Sequence, residues 1–184
     1  MKLVPGTNAL VVTSNTKSYL KWSGNKGYED QLGKLYDFDD AVPSWHRIQL
    51  GSLLFISRDA KIAGLGVVHG LSATHKIKEL FCCPSCARQT LSERSNGTFS
   101  CTNCKQEVKP ENRLIKTKEV TRVQAVYEKA WFPSKAIFET AELQHLLKTN
   151  DRQSAIRELE ESKITIAVAK LGLNMKFLEF PASP

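Results

Sequence analysis

Four of the five cysteines form two Cys-x-x-Cys pairs, and this spacing constrains the fold more than any other feature of the sequence. The first pair is Cys83 and Cys86, the second is Cys101 and Cys104, and 14 residues separate them. A Cys-x-x-Cys turn lets two sulfurs approach one ion, and two such turns complete a tetrahedral shell. The sequence therefore predicts a structural Zn²⁺ ion in a zinc ribbon with four cysteine ligands.

The predicted metal is structural because four protein ligands leave no open coordination position for a substrate. Residues 82–104 carry too few apolar side chains to stay folded without it, so metal binding and folding are expected to be coupled. Cys82 is the spare thiol, since Cys83 gives the regular two-residue gap; an exchange of Cys82 for Cys83 as the ligand stays open.

Cysteine usage and hydropathy predict the compartment. An odd number of cysteines with two Cys-x-x-Cys pairs is typical of a metal site in a reducing compartment, not of a disulfide framework. No apolar run reaches the length needed to span a bilayer, and Pro5 and Gly6 interrupt the apolar residues near the start, so no signal-peptide core forms. We expect a cytoplasmic protein that does not contact membranes.

The net charge of +7 is concentrated in the middle of the chain. Residues 61–134 hold 12 Lys and Arg against 6 Asp and Glu. Four thiolates on one Zn²⁺ ion carry a net charge of about −2, which reduces but does not cancel this excess. The remainder favours contact with phosphates, although a basic surface also serves solubility alone. Lys116 and Lys118, beside the cysteines, are the phosphate-contacting residues we expect.

Apolar patterning outlines a strand-rich domain of the α+β class. Residues 53–56 and 62–71 predict a hairpin, and residues 18–22 and 120–127 alternate like further strands. Gly64, Gly66 and Gly70 lie inside the second hairpin strand, where glycine marks a bend or the close approach of a ligand or another backbone.

The end of the chain is less regular. Thr140 is expected to cap a helix that carries Leu143, Leu146 and Leu147 on one face. The segment 154–170 fits a helix or a strand, and the pattern does not decide between them. The expected architecture is a small β-barrel with flanking helices, formed by residues 1–80 and 115–184 and interrupted by a zinc-ribbon insert at 81–114.

Aromatic and acidic residues are concentrated ahead of the predicted hairpin. Five of the fifteen aromatic residues fall within 24 positions: Trp22, Tyr28, Tyr36, Phe38 and Trp45. Asp37, Asp39 and Asp40 are interspersed among them. Rings that stack on a base, beside carboxylates that accept from its amino group, would form a nucleobase pocket. The alternative is that the rings belong to the core and the aspartates cap a loop.

Three stretches carry a resemblance to a known family: SYLKW at 18–22, YDFDDAVP at 36–43 and IQLGSLLFI at 48–56. They are similar to the EVE-type branch of the PUA-like superfamily. More narrowly, the chain resembles the amino-terminal domain of modification-dependent (type IV) HNH restriction endonucleases, in which similar barrels carry a cysteine-rich insert. QSAIR at 153–157 resembles a recurring element near the end of such domains, and the whole resemblance covers residues 19–159.

This resemblance implies a specificity domain that binds double-stranded DNA and targets a type IV restriction endonuclease. Such a domain flips a modified base, 5-methylcytosine or 5-hydroxymethylcytosine, into a barrel pocket. The positions that match the pocket-forming stretches are Trp22, Tyr36, Phe38, Asp40 and Trp45. Gln153 and Arg157 are secondary candidates.

The chain departs from that family in having no HNH motif, and its four histidines show no paired metal-ligand spacing. We therefore expect no enzymatic activity from this chain, and a nuclease domain in cis if the chain is a fragment of a longer protein. Three other functions stay open: an RNA-binding PUA-like accessory domain, a reader of N6-methyladenine, and a protein-interaction module for which zinc is only a scaffold.

Overall fold

The computed structural model describes residues 8–14, 28–149 and 154–174. These residues divide into two compact units. The first contains the described residues up to 14, together with 29–74 and those from 122 onward, and the second contains Tyr28 and 75–121. The second unit is thus larger than the expected insert at 81–114.

The described residues form mostly strands, with short helices between them. In chain order the strands are β1 (Ala9–Thr13), β2 (Leu35–Asp39), β3 (Leu53–Arg58), β4 (Lys61–Val67), β5 (Gly70–Cys82), β6 (Leu91–Glu93), β7 (Phe99–Cys101), β8 (Glu107–Val108), β9 (Leu114–Val126), β10 (Trp131–Pro133) and β11 (Ile156–Glu158). The 3-10 helices are Trp45–Arg47, Pro110–Asn112, Glu128–Ala130, Thr140–Leu146 and Glu161–Lys163, and α1 is Ile164–Lys170. None of the helices in these ranges has the length and apolar character needed to cross a membrane.

A five-stranded sheet in the order β10-β4-β3-β1-β11 is the centre of the first unit. Strands β1 and β3 are parallel, and the other neighbours are antiparallel. Successive side chains point to opposite faces of a sheet, so β1 divides its residues between two cores: Ala9 and Val11 enter one, Leu10 and Val12 the other. Both faces of this sheet are therefore covered.

The two cores have different covers. On one face, residues of the 3-10 helix Thr140–Leu146 and of α1 pack against the sheet. On the other face, the cover comes from β2 and the end of β9, which pair with each other in a three-stranded sheet of order β2-β9-β5. The first unit thus has a helix–sheet–sheet arrangement.

The glycines of β4 make room for aromatic rings. A Cβ atom on Gly66 would lie 2.6 Å from the Tyr127 ring, and one on Gly64 would lie 2.6 Å from the Trp131 ring. At Gly64 the expected approach of another backbone is found, because the Phe132 carbonyl oxygen would lie 2.5 Å away, whereas at Gly66 the neighbour is a side-chain ring.

The predicted hairpin is confirmed, except that its second strand ends at Val67 and Gly70 begins the next strand, and the predicted barrel is not found. Strands β3 and β4 pair antiparallel, with Asp59 and Ala60 in the turn at positive φ, and residues 120–126 of the next predicted strand lie within β9. The described strands form three separate sheets, with few helices between them. The five-stranded sheet is open, because its edge strands β10 and β11 do not pair with each other. The predicted strand at 18–22 lies outside the described residues.

The segment 154–170 combines both structures that the pattern left open, because it forms β11 and then α1. The predicted cap at Thr140 is wrong by one residue: Glu139 and Glu142 form a capping box, and the Thr140 hydroxyl lies 2.7 Å from the Ser57 hydroxyl. Strands β1 and β2 were not predicted.

Candidate metal centre

The four paired cysteines of the second unit bring their sulfur atoms together. All four Sγ atoms lie within 4.8 Å of one another, and 3.6 Å separates Cys83 from Cys104 and Cys86 from Cys101. Each of these close pairs joins the first Cys-x-x-Cys turn to the second. This group can hold one metal ion.

The sulfur separations fit a tetrahedral ion. Metal–sulfur bonds of about 2.3 Å place the sulfurs of a tetrahedral site about 3.8 Å apart, close to the observed 3.6 Å. All five cysteines are free thiols, and Cys82 is buried outside this group. The geometry agrees with the choice of Cys83 over Cys82 as the ligand.

The two Cys-x-x-Cys turns share one backbone design. In each, the N–H four residues after the first cysteine donates to the carbonyl oxygen of that cysteine, from Ala87 to Cys83 at 2.8 Å and from Lys105 to Cys101 at 2.9 Å. Each first cysteine also donates its own N–H, at 2.9 Å, to the carbonyl oxygen five residues later. Ala87 and Lys105 both have positive φ, 57° and 62°, a conformation that costs a non-glycine residue about 1–2 kcal/mol.

Backbone N–H groups in each turn stabilise the thiolate of its first cysteine. Burial raises the pKa of the Cys101 thiol, but hydrogen bonds from the Cys104 N–H, the Thr90 hydroxyl and the Asn103 N–H outweigh it and lower the pKa to about 6. Thr90 Oγ1 lies 3.2 Å from Cys101 Sγ. A lowered pKa makes Cys101 an anionic metal ligand at neutral pH, and Cys83, the first cysteine of the other turn, shows a shift in the same direction.

At Cys83, burial again raises the pKa, and donation from the Cys86 and Ser85 N–H groups brings it below the ordinary value. Cys104 behaves in the opposite way. The Gln106 N–H lowers its pKa, but burial and the three neighbouring sulfurs raise it to about 12. Four sulfurs so close together do not all ionise at neutral pH without a cation among them, and a divalent ion would supply that charge.

The apolar core around the sulfurs is small. Leu91, Phe99 and Val108, one from each strand of the sheet β6-β7-β8, are buried with Cys83 and Cys101. The Arg113 guanidinium lies over the Phe81 ring at 4.2 Å and over the Phe99 ring at 5.0 Å, so it extends this core at its edge.

Cations of the second unit lie beside the two turns. Lys116 Nζ donates to the Ala87 carbonyl oxygen at 3.1 Å, and Lys105 Nζ donates to the Thr102 carbonyl oxygen at 3.0 Å. Of the two lysines predicted to contact phosphates, Lys116 therefore contacts the first turn. Lys118 is exposed and makes no side-chain hydrogen bond or ion pair within the part of the chain that the structure describes.

Two of the predicted pocket rings are buried in the first unit. Tyr36 and Phe38 are 4% and 0% exposed, and their rings stack on each other with centroids 5.4 Å apart. Both belong to the core between the two sheets. A base could reach the space between these rings only if the core opened.

Asp37 has a structural role that the sequence did not predict. Its carboxylate is fully buried and accepts two hydrogen bonds from Arg122, one of them at 2.8 Å from Nε, and a third from the Glu29 N–H at 2.7 Å. The Asp37 pair raises the pKa of Arg122 above its usual range. Asp39 accepts from the Ala41 N–H at 3.0 Å, as expected for an aspartate that caps a loop.

The remaining predicted pocket residues occupy different environments. Asp40 is half-buried, and Trp45 lies in the 3-10 helix Trp45–Arg47, half-buried against the same core as Phe38. Arg157 is half-buried on the edge strand β11. Trp22 and Gln153 lie outside the described residues.

Comparisons of this chain with protein-family models, with curated protein sequences and with solved structures found no match.

Proposed function

We propose that this chain is a zinc-stabilised specificity domain that binds double-stranded DNA and recognises a modified base. One observation supports it above the others: the four cysteines that can hold a metal lie in a unit with more cations than anions. Residues 75–121 hold nine Lys and Arg against five Asp and Glu. A zinc ion in four thiolates removes about two of these positive charges, so a basic surface remains.

Zinc is the proposed ion because of the ligand set. Four thiolates in tetrahedral geometry favour zinc or an iron–sulfur centre, and two Cys-x-x-Cys turns are the usual ligands of a structural zinc. All four positions would be filled by protein, so the ion would order the turns without binding a substrate. We assign no catalytic step to these residues.

DNA is the proposed partner because phosphates attract exposed Lys and Arg, and this attraction supplies most of the non-specific affinity for duplexes. Nine cations of the second unit are spread over its strands and turns, and Lys76 and Lys118 among them are exposed. Contacts of this kind position the protein on the duplex, while base contacts provide specificity.

Recognition of a modified base, 5-methylcytosine or 5-hydroxymethylcytosine, is the finer part of the proposal. It rests on the resemblance to EVE-type PUA-like domains and on Asp40 and Trp45, which keep part of their surface exposed. Tyr36 and Phe38 are buried, so their rings are poorly placed to contact a base in the predicted pocket. The same resemblance implies a nuclease domain, which this module would direct to DNA that carries the modified base.

The test has two parts. Elemental analysis of the purified chain should find one zinc ion per chain, and Cys104→Ser should lower that amount. Fluorescence anisotropy should then show binding to a short duplex whose affinity falls linearly on a log–log plot as salt rises. A duplex with one modified cytosine should bind about fivefold more tightly than the plain duplex, since a buried methyl contributes about 1 kcal/mol.

Trp45→Ala should reduce the ratio of modified to plain affinity, with Trp131→Ala as the control for loss of a core ring. Equal affinity of the native chain for both duplexes would contradict modified-base recognition and leave DNA binding intact. Absence of any salt-dependent binding would contradict the whole proposal. Tighter binding to RNA at equal salt would favour the RNA-binding alternative.

A further inference from the structure

Strands β5 and β9 form a pair that is exposed on both of its faces in the second unit. They are neighbours in one sheet. The contact of Arg113, next to the start of β9, with Phe81, near the end of β5, indicates that they run antiparallel. Every residue of 75–77 in β5 and of 114–119 in β9 is exposed. We call these two segments the exposed strand pair.

This exposure is unusual for a sheet. An antiparallel sheet commonly has one solvated face and one face packed on a core, and two strands alone are marginally stable in water. The exposed strand pair nevertheless presents apolar side chains, with Ile77 71% exposed and Ile115 57% exposed. Because neighbouring residues of a strand point to opposite faces, the isoleucines alternate with Lys76 and Lys116.

The charge of this surface is net positive. The exposed strand pair contains three lysines, Lys76, Lys116 and Lys118, against one acidic residue, Glu119, and Lys78 directly follows its first segment. Lys78 donates to the Tyr28 hydroxyl at 2.9 Å, and Lys116 contacts the first cysteine turn. Lys76 and Lys118 make no side-chain hydrogen bond or ion pair among the residues that the structure describes. An anionic partner therefore fits this surface better than an apolar or basic one.

We infer that the exposed strand pair enters the major groove of double-stranded DNA, an inference that rests on the function proposed above. The major groove is about 12 Å wide and admits a two-stranded β-ribbon. Six exposed residues of β9 span about 20 Å, which corresponds to about six base pairs at 3.4 Å each. The deep, narrow major groove of duplex RNA does not admit side chains, so duplex RNA is a poor partner for this element.

The lysines and the isoleucines of the exposed strand pair would contact different parts of the duplex. Lys76 and Lys118 reach phosphates at the groove edges, whereas Ile77 and Ile115 contact methyl groups on the groove floor. The C5-methyl group of thymine lies in the major groove and makes apolar contacts with side chains. A methyl group at C5 of cytosine lies in the same place, so this element would sense it without extrusion of the base.

The experiment compares two double variants with matched controls. Lys76→Ala with Lys118→Ala removes the two lysines of this surface that have no partner among the described residues. Ile77→Thr with Ile115→Thr removes apolar surface while keeping β-branched residues in the strands. The controls are Lys61→Ala with Lys135→Ala and Ile137→Thr, which alter exposed residues of the first unit. Zinc content and circular dichroism check that each variant is folded.

The lysine pair should lower affinity for every duplex about tenfold at moderate salt and reduce the salt slope by about 1.8, because each lost phosphate contact contributes about 0.9. The isoleucine pair should leave the slope unchanged and remove the approximately fivefold preference for cytosines methylated at C5. Loss of that preference in Trp45→Ala, but not in the isoleucine pair, would assign it to a base pocket and overturn this part of the inference. The control variants should bind as the native chain does.

Three other outcomes would each contradict either the proposed function or the assignment of the exposed strand pair to DNA. If the native chain binds no DNA, the proposed function fails and this inference fails with it. If the native chain binds but both double variants bind equally well, the exposed strand pair is not the contact and the proposed function stands. A concentration-dependent dimer that the isoleucine variant abolishes, without any effect on DNA binding, would assign the surface to a second copy of the chain.

Discussion

In the first unit, apolar side chains cover both faces of a five-stranded sheet, whereas in the second unit the buried cluster consists of three apolar residues and two cysteines. The free energy gained by burying so few side chains is smaller than the conformational entropy cost of ordering nearly fifty residues. Small units of this kind usually need a metal or a disulfide. The difference predicts that hydrophobic burial stabilises the first unit and that a metal ion held by the four cysteines would stabilise the second.

The largest expected effect is loss of the second unit on removal of the metal. Bound zinc contributes on the order of 10 kcal/mol to folding in zinc-finger peptides. A strong chelator or Cys101→Ser should therefore abolish hydrogen-exchange protection in β6 and β7, while β1 and β3 stay protected. Exchange measured by mass spectrometry resolves the two units in one sample.

Cys82→Ala is the matched control for this variant, because Cys82 is a buried thiol outside the metal group. It should keep the metal and the protection of β6 and β7. Equal protection of both units after complete removal of the metal would show that the second unit is stable by packing alone.

A smaller effect is expected in the first unit from Asp37→Asn. This change leaves Arg122 without its buried anionic partner, and breaking a buried pair typically costs about 3 kcal/mol or more. Chemical denaturation should show that loss, with metal content unchanged. Asp40→Asn, at a half-buried neighbour, should alter stability by no more than about 0.5 kcal/mol.

The same pair of variants also separates structure from recognition. If Asp37 contacted a ligand, Asp37→Asn would change base preference while leaving the free energy of unfolding intact. That result would contradict the structural role assigned to Asp37.

The smallest expected effect concerns the strained turn at Ala87. Ala87→Gly relieves the positive-φ penalty but adds flexibility to the unfolded chain, so the net gain should be about 0.5 kcal/mol, or about twofold in metal affinity. Competition with a chromogenic chelator measures this change. Ala87→Val should weaken metal binding, since a β-branched residue tolerates this conformation poorly; a gain with Val would show that the turn is not strained.

The sequence predicted the metal-binding group because that group depends on local spacing. Each Cys-x-x-Cys turn fixes two ligands within four residues, and only the meeting of the two turns involves distant parts of the chain. The β3–β4 hairpin was predictable for the same reason, since its strands are joined by a short turn.

The misjudged features depend on contacts between distant residues. Asp37 was noted only as one of the aspartates among the aromatic residues, and its structural role was missed because its partner Arg122 lies 85 positions away. Strand β2 was missed because Asp is uncommon in strands, and pairing with β9 overrides this preference. Strand β1 was missed because a strand that is buried on both faces shows no alternation.

The barrel was expected from the number of strands and from the resemblance, neither of which specifies which strands are neighbours. Pairing of β1 with both β3 and β11 joins segments from opposite ends of the chain. No pattern within a single segment encodes that order.

The hydrogen bond from the His69 N–H to the Val126 carbonyl oxygen, 2.9 Å long, has an evolutionary and practical consequence. It joins two residues of the first unit that flank residues 75–121 of the second unit. For the first unit, residues 75–121 are one closed loop, and the entropy of closing a loop grows only slowly with its length. Such a loop can be lengthened, shortened or replaced by another module at little thermodynamic cost to the first unit. This junction is therefore a suitable site for inserting or deleting a domain.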